Sequence, residues 1–194
     1  MSEAQDFTGI AIGLYEPSPG LFSSLDVTLV GALSVRPVDL RSLEAVCDAL
    51  AADRLDALVL DAGGREVAVR ALVRDLREGR IGPDPFLPVL VLHESPAGDP
   101  AQAIRLAGAD AVLDARDEPE AVADRLAALR AARRRFVVCG PYPVPEHRRI
   151  ERPGQASEMV EVPNRLAGPV DATALDEAKA IWARLLDLGT PVGV

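Results

Sequence analysis

The chain has 194 residues, of which 48% are apolar, 26% charged and 4% aromatic, and its net charge is −9. That length suits one domain plus an appendage, and the apolar share excludes wholesale disorder while allowing a core of Leu, Val, Ala and Ile. The acidic balance argues against nucleic acid as the partner, because neutralising phosphates takes cations.

Cys47 and Cys139 make neither a disulfide framework nor a metal pattern. The N-terminal residues Met1 to Asp6 are acidic and lack the basic-then-apolar layout of a signal peptide. No apolar run approaches the roughly 20 residues of a membrane span. A cytoplasmic protein with no membrane partner is the expectation.

The first predicted strand runs from Gly9 to Tyr15 and stops at Glu16-Pro17-Ser18-Pro19. A weakly amphipathic helix follows over Leu21 to Val30, then a short strand near Leu33 to Val35. Asp39 is placed to cap a helix whose apolar face carries Leu43, Val46, Cys47 and Leu50. The run Ala57-Leu58-Val59-Leu60 makes a strand, Leu55 to Asp61, that ends on a carboxylate. Gly63-Gly64 leads into a helix reaching about Glu78, with Val69, Leu72, Val73 and Leu76 inward. Gly82-Pro83-Asp84-Pro85 is a loop. A strand over Val89 to His93, a helix over Ala101 to Leu106 and a strand over Ala111 to Leu113 come next. Glu118 to Arg134 reads as a helix with Val122, Leu126 and Leu129 at helical spacing.

Near-continuous apolar strands alternating with helices mean a parallel sheet covered on both faces, and five strands at this length fit a doubly wound α/β arrangement. The composition changes after Arg135. Prolines 141, 143, 145, 153, 163 and 169 predict an extended arm, since proline removes donors and disfavours helix. The expected organisation is an α/β domain over 8–135, a Pro-rich arm over 136–170 and an amphipathic helix over 171–189. Leu175, Ala178, Ile181, Trp182 and Leu185 share one face of that helix. Such a stripe must dock on its own domain or on a second copy, and a homodimer is expected.

The predicted strand ends gather Glu16, Asp61, His93 with Glu94 and Ser95, and Asp114 with Arg116 around the crevice where α/β sheets bind ligands. Asp61 after its apolar strand, Pro88 to Leu92, and Gly108-Ala109-Asp110 together resemble the receiver domain of two-component response regulators, over roughly residues 8 to 135. The resemblance implies a flavodoxin-like fold. It also implies an aspartate that accepts a phosphoryl group, a divalent cation held by carboxylates, and a hydroxyl and a lysine that hold the phosphoryl oxygens. Carried over, Asp61 is the candidate phosphoacceptor, and Glu16 with Asp61 would hold Mg2+. The partner of Glu16 in the family's acidic pair is Tyr15 here, the hydroxyl place is His93, and the lysine place falls at about Ala115. The only lysine is Lys179, far outside the βα repeats. Magnesium prefers several oxygen ligands in near-octahedral geometry, which one acid beside Asp61 does not supply.

Three functions follow. The first is a stand-alone receiver-like protein in two-component or phosphorelay signalling, acting by contact with a sensor kinase or another signalling protein and accepting phosphate on Asp61. The second is a phosphate-independent interaction or dimerisation module on the same fold, favoured by the missing lysine and acid. The third is a small α/β enzyme or nucleotide-binding protein, which the lack of a nucleophile–base pair, a P-loop or GxGxxG argues against. Asp61 as a strand-end carboxylate capping the next helix through the Gly63-Gly64 backbone, and His93 as a crevice-wall histidine bonded to backbone, are the structural alternatives. The basic run Arg130, Arg133, Arg134, Arg135, with Arg148, Arg149 and Arg152, lacks interleaved aromatics and is expected to meet acidic surface on this protein or a partner.

Overall fold

The computed structural model describes residues 9–17, 22–139, 142–146 and 159–189. Five strands, β1 (Ala11–Tyr15), β2 (Arg36–Leu40), β3 (Ala57–Asp61), β4 (Val89–His93) and β5 (Ala111–Asp114), form one parallel sheet in the order β2-β1-β3-β4-β5. Helices α1 (Phe22–Leu33), α2 (Leu43–Ala51), α3 (Glu66–Arg77), α4 (Asp99–Leu106) and α5 (Pro119–Ala131) cross between them. This is the doubly wound α/β fold expected from the apolar runs.

Alternation along each strand feeds two cores. Leu58 and Leu60 of β3 point to the side covered by Val46 and Leu50 of α2, Val69, Leu72 and Leu76 of α3 and Ile104 of α4. Ala57 and Val59 point to the other side, against Leu25 and Leu29 of α1 and Val122, Leu126 and Leu129 of α5. Burial on both faces explains why the central strands read as continuous apolar runs. Val112 lies in β5 at the sheet's edge.

The second strand departs from the sequence reading. It runs over Arg36–Leu40, not Leu33 to Val35, and Asp39 lies inside it. Asp39 therefore caps no helix; its Oδ2 accepts from Arg41 Nε at 2.8 Å. The cap of α2 is Ser42, whose hydroxyl accepts from the Ala45 N–H at 3.1 Å. Pro37 is tolerated because β2 is an edge strand.

The described residues after α5 are folded. Arg134, expected at the end of a helix, begins β6 (Arg134–Cys139), which pairs antiparallel with β7 (Tyr142–Pro145) and β8 (Met159–Val162) in the order β7-β6-β8. A 3-10 turn, Arg165–Ala167, leads to α6 (Ala172–Gly189). Leu175, Ala178 and Trp182 of α6 pack on Phe136, Val160 and Val162 of this sheet and on Phe86 of the α/β body. The apolar stripe is thus covered within the chain, leaving Ile181 44% exposed.

Three contacts fasten the added layer to the amino ends of the parallel strands. Leu166 is buried in the α1/α5 core. Asn164 Nδ2 donates to the last carbonyls of α5, Leu129 O at 2.8 Å and Arg130 O at 3.2 Å. Arg165 pairs with Asp84 at 2.7 Å and Asp53 at 2.8 Å. The basic run meets acids of its own chain: Arg134 with Asp110 at 2.5 Å, Arg135 with Glu146 at 3.6 Å and Arg133 with Glu161 at 3.8 Å. Arg148, Arg149 and Arg152 lie outside the described residues.

Candidate functional site: the Asp61 crevice

Parallel pairing sets the site. Tyr15 lies opposite Leu60, Asp61 opposite Leu92, and His93 opposite Asp114. Glu16, Asp61, His93 and Asp114 therefore stand at the same, carboxyl edge of the sheet, where a parallel α/β sheet opens a crevice.

Asp61 Oδ1 accepts from the Gly63 N–H at 2.9 Å. The carboxylate tightens the turn after β3 but does not cap α3, whose first turn has no side-chain cap. A Cβ on Gly63 would stand 3.2 Å from Asp61 Oδ1, so the turn is drawn close around it. Partial burial pushes the Asp61 carboxyl above its ordinary value; the Gly63 N–H opposes this, and the negative charges of Glu16, Glu94 and Glu66 add to it. The largest side-chain charges acting on Asp61 are acidic.

Glu16 is buried just after β1, and its Oε2 lies 3.6 Å from Arg41 Nη1. Arg41 is shared with Asp39, at 2.5 Å. Asp26 of α1 joins the same acidic neighbourhood: burial raises its carboxyl, with Asp39 and Glu16 adding to the effect and Arg41 opposing it. The sequence reading missed Asp26, Arg41 and Glu66 because nothing local marks them: Asp26 and Glu66 are single acids in helices, and Arg41 lies in the short loop after β2. Only the strand order brings them to the crevice.

His93 Nδ1 accepts from the Ser95 N–H at 2.9 Å, which places the ring proton on Nε2. Nε2 is buried without a hydrogen-bond partner, 3.8 Å from Glu66 Oε1. Arg116 grips Asp114 through Nε at 2.9 Å and Nη2 at 2.7 Å, and Nη2 also donates to Glu94 O at 3.0 Å. This two-pronged contact pulls the Asp114 carboxyl down to about 2. Lys179 lies on α6, beside Asp176 at 3.2 Å.

Among the described residues no three His, Cys, Asp or Glu side chains are grouped to hold a metal ion. Magnesium needs several oxygen ligands, and Glu16 faces Arg41. Among the described residues, Glu16 and Asp61 are too few oxygen ligands to fit a resident magnesium ion. Among the described residues, Arg41 and Arg116 at this rim are each held by carboxylates.

Among the described residues no helix is long and apolar enough to cross a membrane. No family model and no curated protein matches the sequence. Solved structures do. A putative response regulator from Chloroflexus aurantiacus J-10-fl superposes with a TM-score of 0.52 at 21% identity, over 61% of this chain and 95% of that one. The response regulator receiver domain from Bermanella marisrubri gives 0.52 at 17% identity, over 61% and 95%. The Vibrio cholerae chemotaxis protein CheY4 gives 0.51 at 16% identity, over 61% and 97%. The five-stranded α/β part of this chain has the fold of a response-regulator receiver domain, and β6 to α6 are an addition to it.

Proposed function

We propose that this chain is a receiver-fold signalling protein of two-component or phosphorelay systems in which Asp61 is not an efficient phosphoryl acceptor, so that output runs through protein contact. The observation that supports this is the charge around Asp61. A phosphoryl dianion there faces Glu16, Glu94 and Glu66. Two described arginines at the rim, Arg41 and Arg116, are committed to Asp39 and Asp114. Phosphoryl transfer is catalysed almost entirely by positioning and offsetting negative charge, and this crevice adds to that charge. The partner in this reading is a sensor kinase or another cytoplasmic signalling protein.

Incubation with a small acyl phosphate and magnesium, followed by intact-mass measurement, tests the reading. The expected result is no phosphoryl adduct. Stoichiometric labelling that disappears in Asp61→Asn would restore the phosphorelay reading.

The homodimer expected from the α6 stripe would need another surface than the stripe residues Leu175, Ala178 and Trp182, which are covered in the chain itself. Among the described residues, Ile181 of α6 and Val27 and Val30 of α1 are exposed apolar side chains. Light scattering on the full chain decides the point, and a monomer at high concentration removes the dimer from the proposal.

A further inference from the structure

The edges of the two sheets are guarded unequally. In β2 the Arg36 N–H donates to Ile10 O at 2.8 Å, so Arg36, Val38 and Leu40 bond to β1. The alternate residues, Pro37 and Asp39, face outward, and Pro37 has no N–H to offer there. In the added sheet the Glu146 N–H donates to Arg135 O at 2.9 Å, and Phe136 stands opposite Pro145. Glu146 and Val144 therefore bond to β6, and Pro143 and Pro145 occupy the outward positions of β7. At β5 two arginines of the neighbouring helices reach over the strand. Arg105 Nη2 donates to Val112 O at 3.3 Å and Arg125 Nη2 to Asp110 O at 3.5 Å.

Strand β8 carries no such device. Because Arg135 and Val137 bond to β7, the alternate residues Arg134 and Phe136 bond to β8, through Val162 and Val160. The backbone N–H and C=O groups of Met159 and Glu161 then point away from the sheet. Both side chains are exposed, and neither position is a proline. Among the described residues β6 is the one strand paired with β8, and no other backbone hydrogen bond reaches Met159 or Glu161. An unguarded edge of this kind is a template for another strand.

We propose that β8 is a pairing edge for a second copy of this chain. Two β8 strands run antiparallel about a two-fold axis and join the three-stranded sheets of the two copies into one. The strand itself argues for this occupant. With the axis at Val160, Met159 of one copy lies opposite Glu161 of the other, and every outward N–H and C=O of both strands finds a partner. An axis at Met159 or at Glu161 satisfies only half of them. The axis at Glu161 also sets that carboxylate against its own copy, which like charge opposes. Helix α6 packs on Val160 and Val162, so the same pairing brings two α6 helices alongside each other. Ile181, 44% exposed on α6, offers apolar surface to that contact. The proposal rests on the homodimer reading, to which it gives a surface, and is independent of Asp61.

Light scattering on the full chain, with amide exchange read by NMR at high and low protein concentration, tests it. The wild type is expected to dimerise. Its Met159 and Glu161 amides should be protected at high concentration and exchange freely on dilution, while Val160 and Val162 stay protected throughout. Glu161→Pro removes an outward N–H that the folded chain does not use, and an edge strand tolerates the ring. It should weaken dimerisation by about tenfold to a hundredfold, because half of the inter-chain bonds lose their donor or their geometry. Glu161→Gln keeps the backbone and should dimerise like the wild type. A wild type that stays monomeric at high concentration would overturn both the dimer and its surface. A dimer equally tight in folded Glu161→Pro, or wild-type Met159 and Glu161 amides that exchange alike at both concentrations, would overturn β8 as the edge and leave the dimer standing. Should Glu161→Pro fail to fold, the wild-type amides decide.

Discussion

The Asp110 carboxylate lies between two buried arginines from different layers: Oδ2 accepts from Arg77 Nη2 at 2.9 Å and Oδ1 from Arg134 Nη2 at 2.5 Å. Oδ2 also accepts the Val89 N–H at 2.8 Å, which ties the pair to the start of β4. Arg134 further donates to the Phe86 carbonyl. One carboxylate thus joins α3, the parallel sheet and the added antiparallel sheet.

Asp110→Ala should therefore be severely destabilising. Burial already pulls the Arg77 guanidinium down to about 10, and Asp110 is the main group holding it up. Removing it leaves two buried cations uncompensated, which costs about 3–5 kcal/mol. Urea denaturation measures the loss. A change within about 1 kcal/mol would show that the two arginines find solvent or other acceptors when Asp110 goes.

This joint marks where the sequence stops being legible. The strands β3, β4 and β5 and the helix α5 announce themselves, because burial on both faces leaves apolar runs and a helical stripe leaves its spacing. β2 does not: it carries Arg36, Pro37 and Asp39, and only pairing with β1 makes those residues a strand. The prolines after Arg135 read as an open arm, yet Pro143 and Pro145 lie in β7, an edge strand that can do without their donors. Met159–Val162 does alternate exposed and buried, a period-two signal too short to stand alone.

At the site, Asp61 was legible as a carboxylate ending an apolar strand, and Glu16, His93 and Asp114 as its neighbours along the same edge. Arg77 was not. An arginine in a last helical turn is an ordinary surface cation. Its burial comes from Gly108 and Asp110, more than thirty residues away.

Asp61→Asn should raise the melting temperature at neutral pH. The native state holds the Asp61 proton more tightly than the unfolded chain, whose carboxyl titrates near 3.8. Stability therefore falls as pH rises from about 3.8 through the higher native value, and the penalty is complete at neutral pH. The variant lacks that penalty. Its advantage should shrink as the pH is lowered toward and below 3.8, where the unfolded carboxyl also takes up its proton. Thermal unfolding followed by circular dichroism at both pH values reads this out. A variant that melts at or below the wild-type temperature at neutral pH would show that the Gly63 N–H bond outweighs burial and the three neighbouring acids.

The glycines at 108 and 64 should respond differently to alanine, although both have positive φ. Gly64 has φ 67° and nothing within 4 Å of an added Cβ. Gly64→Ala therefore costs only the left-handed backbone, about 1–2 kcal/mol. Gly108 has φ 111°, and its Cβ would stand 2.7 Å from Arg77 Cγ. Arg77 cannot yield, because its guanidinium is fixed by four acceptors, one of them the carbonyl of Gly108 itself. Backbone strain and overpacking then act together, and Gly108→Ala should cost about 2–5 kcal/mol. Part of that loss should appear as faster exchange in β6, since pushing Arg77 aside disturbs the Asp110–Arg134 contact. Denaturation midpoints for the two variants side by side check the ranking. Equal losses would mean that Arg77 has room to move.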